Sequence, residues 1–150
     1  MGLDMYLRAE KYVSAYQEPE TLRAIAKVIE ANKIIDEESS SASVSITVGY
    51  WRKANAIHNW FMQYTDEDDC KPEYVTRKQL VSLLATCAEV KAAKDNDVSA
   101  QLLPTESGFF FGSTEYDDWY YHQVDYTINL LENLLQNTDD TWSFEYQASW

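Results

Sequence analysis

The chain has 150 residues, of which 45% are apolar and 14% aromatic, and it carries a formal net charge of −13. This length and composition predict one globular domain, residues 1–150, with a core of its own, and they exclude a disordered chain. The acidic charge excludes direct binding to nucleic acid or to an anionic membrane surface, because both repel such a protein.

The first third of the chain predicts two strands with a helix between them. Apolar and polar residues alternate over residues 3–8 and again over residues 44–48, which is typical of half-buried strands. Pro19 suits the first turn of a helix, and an apolar stripe continues that helix to about residue 32. The polar run at residues 36–43 predicts a loop.

The middle of the chain predicts two helices. The first begins near Trp51, runs to about Tyr64 and is ended by the acidic run at residues 66–69. The second begins at Thr76, because Thr76 and Gln79 have the spacing of a capping box, in which each side chain bonds the other residue's backbone amide.

The last third predicts a turn-rich stretch, a strand, a helix and a final strand. Residues 95–107 are rich in turn formers, and the three phenylalanines at 109–111 predict a short strand. Thr114 is the predicted cap of the longest helix, and alternation over residues 142–148 predicts the last strand.

This order of elements predicts the α+β class. Clean alternation gives each strand one solvent-facing side, so the sheet is expected to be antiparallel or mixed. We therefore expect a single two-layer domain with about four strands packed against about four helices.

Residues 50–61 (YWRKANAIHNWF) predict a binding site for a nucleotide-like ligand. On a helix, Trp51, Asn55 and His58 would share one face. A base could then stack on the Trp51 indole with its edge on Asn55, while Arg52 and His58 bound its phosphate. Residues 108–112, with a glycine at each end, and the aromatic start of the next helix could line the same pocket. The predicted ligand-binding residues are Trp51, Arg52, Asn55, His58, Phe110, Tyr116 and Tyr120.

A structural interpretation of the same segment is also open. In it, Trp51 and Trp60 fill the core of an amphipathic helix and His58 is a buried, hydrogen-bonded packing residue. The three phenylalanines would likewise form a short buried strand between two turns.

Three segments resemble a family of small phage and prophage proteins. They are the MGLDMYL start, the YWRKANAIHNWF segment, and residues 103–112 (LPTESGFFFG) followed by Tyr116 and Asp117. The resemblance implies a setting of host takeover or counter-defence, in which small proteins commonly act by binding, and it implies no catalytic residue.

The charge is unevenly distributed, which suggests a second function. Residues 95–150 contain eleven carboxylates and no lysine or arginine, whereas the first 94 residues hold 12 basic and 14 acidic side chains. An acidic helix with aromatic anchors could occupy the nucleic-acid groove of a basic host protein, as an anti-CRISPR or anti-restriction inhibitor would. The predicted partner-binding residues are Glu115, Asp117, Asp118, Asp125 and Glu132.

Other functions have little support in the sequence. No catalytic constellation, metal-ligand spacing or cofactor motif is recognisable, so we expect a non-enzymatic protein without a metal or cofactor. Cys70 and Cys87 are too far apart for a CxxC pair, which suits a reducing compartment. The sequence also shows no signal peptide and no transmembrane run, so we expect a cytoplasmic protein. A homo-oligomer remains open, although no repeat, heptad or exposed sheet edge indicates an assembly protein.

Overall fold

The computed structural model describes residues 2–65 and 70–150. These residues form five helices and a four-stranded antiparallel sheet, which confirms the predicted α+β class. The elements are β1 (Asp4–Ser14), α1 (Pro19–Val28), β2 (Ser41–Arg52), α2 (Asn55–Met62), β3 (Glu73–Val75), α3 (Arg77–Ala93), α4 (Asn96–Leu102), α5 (Asp118–Gln136) and β4 (Trp142–Ser149). None of these helices is long and apolar enough to cross a membrane.

Strand β1 is central because it pairs with both β2 and β4, and β3 pairs with the far side of β4. The strand order is therefore β2-β1-β4-β3. Alternation along β1 separates two faces: Met5 and Leu7 are buried in the core, whereas Tyr6 and Arg8 lie on the opposite, partly exposed face. The expected solvent-facing side of the sheet is confirmed.

Helices α2, α3 and α5 cover the apolar face of the sheet and share one core with it. Helix α3 packs along α5, and α4 lies against α3. Helix α2 is the most deeply buried, since six of its eight residues are inaccessible to solvent. The main cluster includes Leu7 and Phe144 from the sheet and Leu83 and Leu131 from α3 and α5.

The helix predicted to begin near Trp51 begins later than expected, because residues 51 and 52 belong to β2. The chain leaves the strand at Lys53, whose φ of 54° is in the left-handed region, and helix α2 starts two residues later. The expectation that Trp51, Asn55 and His58 share one helix face is therefore wrong. The acidic run at 66–69, predicted to end this helix, lies outside the described residues.

Three further expectations from the sequence are wrong. Residues 109–111 form a turn instead of a strand, and the stretch at 95–107 contains α4. The cap of α5 is Asp117, whose carboxylate accepts the Tyr120 amide at 3.0 Å, and not Thr114. In contrast, the capping box of Thr76 and Gln79 at the start of α3 is confirmed.

The sheet also has an exposed edge that the sequence did not indicate. Strand β2 is outermost, and helix α5 approaches only its C-terminal end, where the Tyr126 hydroxyl accepts the Tyr50 amide at 3.2 Å. A small cluster formed by Val13, Ala15 and Leu22 joins α1 to the far end of the paired strands β1 and β2.

Candidate functional site

Two asparagines of α2 hold the loop between α4 and α5 against the core. Asn55 donates to the carbonyls of Phe111 at 3.1 Å and Ser113 at 2.8 Å, and its own side-chain oxygen accepts the Glu106 amide at 3.2 Å. One turn later, Asn59 donates to the carbonyl of Pro104 at 3.1 Å. The spacing of four residues places both amides on one side of α2, so a single helix face fixes this loop.

A cleft of 410 Å³ lies between the fixed loop, helix α2 and Trp150, and we call it the Glu106 cleft. Its volume is in the range of small-molecule sites, roughly 300–1,000 Å³. Among the described residues, no lysine or arginine lines the cleft. The lining residues are His58, Asn59, Met62, Gln63, Glu106, Phe111 and Trp150.

The Glu106 carboxylate has a buried oxygen, Oε2, that has no hydrogen-bond partner among residues 2–65 and 70–150. A buried polar atom without a partner costs free energy, and a carboxylate costs more than a neutral group. Such an atom is uncommon in folded proteins. Glu106 lines the cleft, so this unsatisfied carboxylate lies beside the space that a ligand with hydrogen-bond donors would occupy.

The aromatic side of the cleft is formed around His58. The His58 ring lies edge-on to Phe111 at 5.2 Å and to Trp150 at 5.4 Å between ring centroids. Its Nδ1 lies 2.7 Å from the Tyr146 hydroxyl. Burial lowers the pKa of His58 from 6.5 to about 4 and raises the pKa of Tyr146. His58 is therefore neutral and Tyr146 protonated at pH 7, and the two groups share a hydrogen bond whose donor is set by the tautomer of the ring.

The structure does not gather the seven predicted ligand-binding residues into one pocket. Trp51 is 1% exposed, and its indole Nε1 donates to Thr127 at 2.9 Å, so it cannot serve as an open stacking surface. The structural interpretation therefore holds for Trp51. Arg52 is exposed, with its guanidinium 4.0 Å from the Asp4 carboxylate.

The remaining predicted residues have mainly structural contacts. The Tyr120 hydroxyl donates to the carbonyl of Leu103 at 2.9 Å, and the Tyr116 ring lies edge-on to Tyr120 at 4.9 Å. The carbonyl of Phe110 accepts the Leu3 amide at 3.1 Å. Asn55 and Tyr120 line a separate cavity of 20 Å³, which holds about one water molecule. Of the seven, only His58 lines the Glu106 cleft.

Besides His58, the segment 108–112, which was predicted to line the ligand pocket, contributes Phe111 to the cleft. The other five lining residues were not predicted, and Glu106 belongs to the LPTESGFFFG segment, which drew attention through its glycines and phenylalanines and its resemblance to phage proteins. The pair of asparagines four residues apart in the YWRKANAIHNWF segment was a usable signal for a helix face that binds a loop. Trp150 carried no signal, because its position in the cleft depends on the end of β4.

The predicted acidic row on α5 is only partly continuous. Asp118, Asp125 and Glu132 are seven residues apart and so lie along one side of the helix. Asp125 is paired with Lys91 at 2.7 Å, and Asp117 caps the helix instead of extending the row. Glu115 precedes the helix and is exposed.

In the part of the chain that the structure describes, no three histidine, cysteine or carboxylate side chains come together as a metal site would require. Cys87 is buried in the core, and burial raises the pKa of its thiol to about 12, whereas Cys70 is exposed. No protein-family model, curated protein or solved structure matches this chain.

Proposed function

We propose that this protein binds a small planar ligand with adjacent N–H donors, of the nucleobase or nucleoside type, in the Glu106 cleft. The observation that carries the proposal is the buried, unpaired Oε2 of Glu106. A ligand N–H would satisfy this oxygen and form a charge-assisted hydrogen bond, which is among the stronger polar contacts in proteins.

The other walls of the cleft support the same class of ligand. Phe111 and Trp150 provide aromatic surface, and stacking of a base on an aromatic side chain contributes about 1–3 kcal/mol. Because no lysine or arginine is among the described residues that line the cleft, and because the protein is strongly acidic, a phosphate group is not favoured inside it. The nucleotide-like ligand expected from the sequence is therefore narrowed to its base or nucleoside part.

The lowered pKa of His58 and its hydrogen bond to Tyr146 favour a binding function over acid–base catalysis. A general base works best when its pKa is near the working pH, whereas the pKa of His58 is lowered to about 4. Its Nδ1 is also already engaged by Tyr146. In the phage setting that the resemblance implies, a non-enzymatic binder of this kind would act by sequestering a host metabolite or signal.

Glu106→Gln tests the proposal, with guanosine as the probe ligand because its base presents two adjacent N–H donors. For the unaltered protein we expect guanosine at about 100-fold above its dissociation constant to raise the melting temperature by roughly 5–10 °C. Glu106→Gln should weaken guanosine binding by about 10- to 100-fold, measured by isothermal titration calorimetry, because the charged acceptor is lost.

Two controls separate binding from folding. Glu115→Gln makes the same change at an exposed position of the same loop and should leave binding unchanged. Without ligand, Glu106→Gln should melt at about the same temperature as the unaltered protein, because the substitution breaks no hydrogen bond to Oε2. Equal affinity for uridine, whose base lacks two adjacent donors, or unchanged guanosine binding by Glu106→Gln would contradict the proposal.

Inhibition of a basic host protein by nucleic-acid mimicry is the second proposal, and it is supported by the row of Asp118, Asp125 and Glu132 on α5. The charge density along α5 argues against this proposal, because it is much lower than that of DNA. The row has one carboxylate per about 10.5 Å of helix, whereas duplex DNA has about one charge per 1.7 Å of its axis. The pairing of Asp125 with Lys91 lowers the density further.

A further inference from the structure

The outer edge of β2 is open over residues 41–48. In the described parts of the chain, the only hydrogen bonds that reach the backbone of these residues come from β1. Helix α5 covers the strand only beyond this segment, through the bond of Tyr126 to the Tyr50 amide. The open segment therefore presents unpaired backbone donors and acceptors that match another extended strand.

This edge has little of the protection that sheet edges usually carry. Charged side chains and proline normally discourage edge-to-edge pairing. The opposite edge follows that rule, since β3 has only three residues and is preceded by Lys71 and Pro72. Residues 39–51 contain no charged residue and no proline, and the only irregularity in β2 is a bulge opposite Leu7 and Arg8.

Exposed apolar side chains lie on the open edge and at the end of the helix that precedes β2. Ile46, on the edge itself, is 47% exposed, and Val28, Ile29 and Ile34 are 83%, 66% and 83% exposed. The last three lie at the end of α1 and in the turn after it. Helix α1 packs on the end of the paired strands β1 and β2 that holds Val13. Ile46 therefore adds an exposed apolar side chain to the unpaired backbone of the edge.

We infer that two copies of the chain associate through residues 41–48 of β2, antiparallel and about a two-fold axis, to form one continuous sheet. A two-fold contact uses the same surface on both copies, so a single interface closes both open edges. Charge selects this occupant. Two proteins that each carry −13 repel each other least where the contacting strand itself is uncharged, as residues 41–48 are, and such an edge offers no charge complementarity to a basic or acidic partner.

Charge substitution at Ser45 tests the inference. Ser45 lies in the middle of the open segment, is exposed and pairs with Glu10 of β1. We expect the unaltered protein to sediment at the mass of two chains in analytical ultracentrifugation. Ser45→Glu and Ser45→Lys, each alone, should raise the dimer dissociation constant by about fivefold or more, because like charges would face each other across the axis. An equimolar mixture of the two variants should restore the dimer.

Ser143→Glu is the matched control. Ser143 is an exposed position on the interior strand β4 and pairs with the same Glu10, so it adds the same charge in the same surroundings but away from the edge. This variant should remain dimeric, and circular dichroism should show that all variants fold. A monomeric unaltered protein, a dimer insensitive to Ser45→Glu, or a failure of the mixture to restore the dimer would each overturn the inference.

Discussion

At the scale of single residues, the contacts of Asn55 and His58 differ from those expected from the sequence. Asn55 was expected to bind the edge of a base, whereas it holds the loop that carries Glu106. His58 was expected to bind an anion, whereas it is buried, neutral and hydrogen-bonded to Tyr146. Residue type indicates what a side chain can bond, and only the fold decides which partner is within reach.

The buried His58 leads to a prediction about pH. Its pKa is about 4 in the folded protein and about 6.5 when exposed, so the unfolded chain binds the proton more readily. The stabilising contribution of the neutral ring is therefore complete above pH 6.5 and is lost as the pH falls towards 4. The loss should reach about 3 kcal/mol, measured by urea unfolding at a series of pH values.

Two substitutions assign this pH dependence to its source. His58→Gln removes the titrating group, so the free energy of unfolding of this variant should change much less between pH 6.5 and 4. His122→Gln removes the exposed histidine and should retain the dependence of the unaltered protein. An unaltered slope in His58→Gln would show that another group is responsible.

At the scale of elements, periodicity predicted most helices and strands but placed several boundaries incorrectly. Alternation identified β1 and β4 because their two faces meet different environments. The apolar run 109–111 has no alternation and no partner strand in the fold, so it forms a turn. The boundary between β2 and α2 depends on the positive φ of Lys53, a conformation that this residue type rarely adopts.

The start of α5 gives a test at this scale. Asp117→Ala removes the side chain that caps the helix and should lower the free energy of unfolding by about 1 kcal/mol. Thr114→Ala changes the cap that the sequence predicted and should have a much smaller effect, because the Thr114 side chain does not cap α5. Chemical denaturation of both variants checks the prediction, and a larger effect at Thr114 would contradict it.

At the scale of the whole molecule, the charge of −13 and the uncharged edge of β2 act in opposite directions on self-association. The inferred dimer forms against mutual repulsion, so screening of that repulsion should strengthen it. Raising the ionic strength from about 0.01 M to about 1 M shortens the Debye length from about 30 Å to about 3 Å. We expect the dimer dissociation constant to fall over this range in analytical ultracentrifugation.

Salt should have the opposite effect on a complex between the acidic α5 row and a basic protein, because screening weakens attraction between opposite charges. The two proposals for an interface can therefore be separated by one variable. A dimer that dissociates at high salt would show that contacts between charges hold it together, in contradiction to pairing through β2.

The sequence alone determined the fold class, the solvent-facing side of the sheet and the capping box of Thr76 and Gln79, because these depend on periodicity and on neighbours within one turn. Only the tertiary structure decided that Glu106 and Trp150 share a cleft and that β2 is an open edge. Both features depend on strand order and on contacts between residues distant in sequence. A local sequence pattern does not specify which distant segments pack together, so the cleft and the edge can be recognised only in the folded chain.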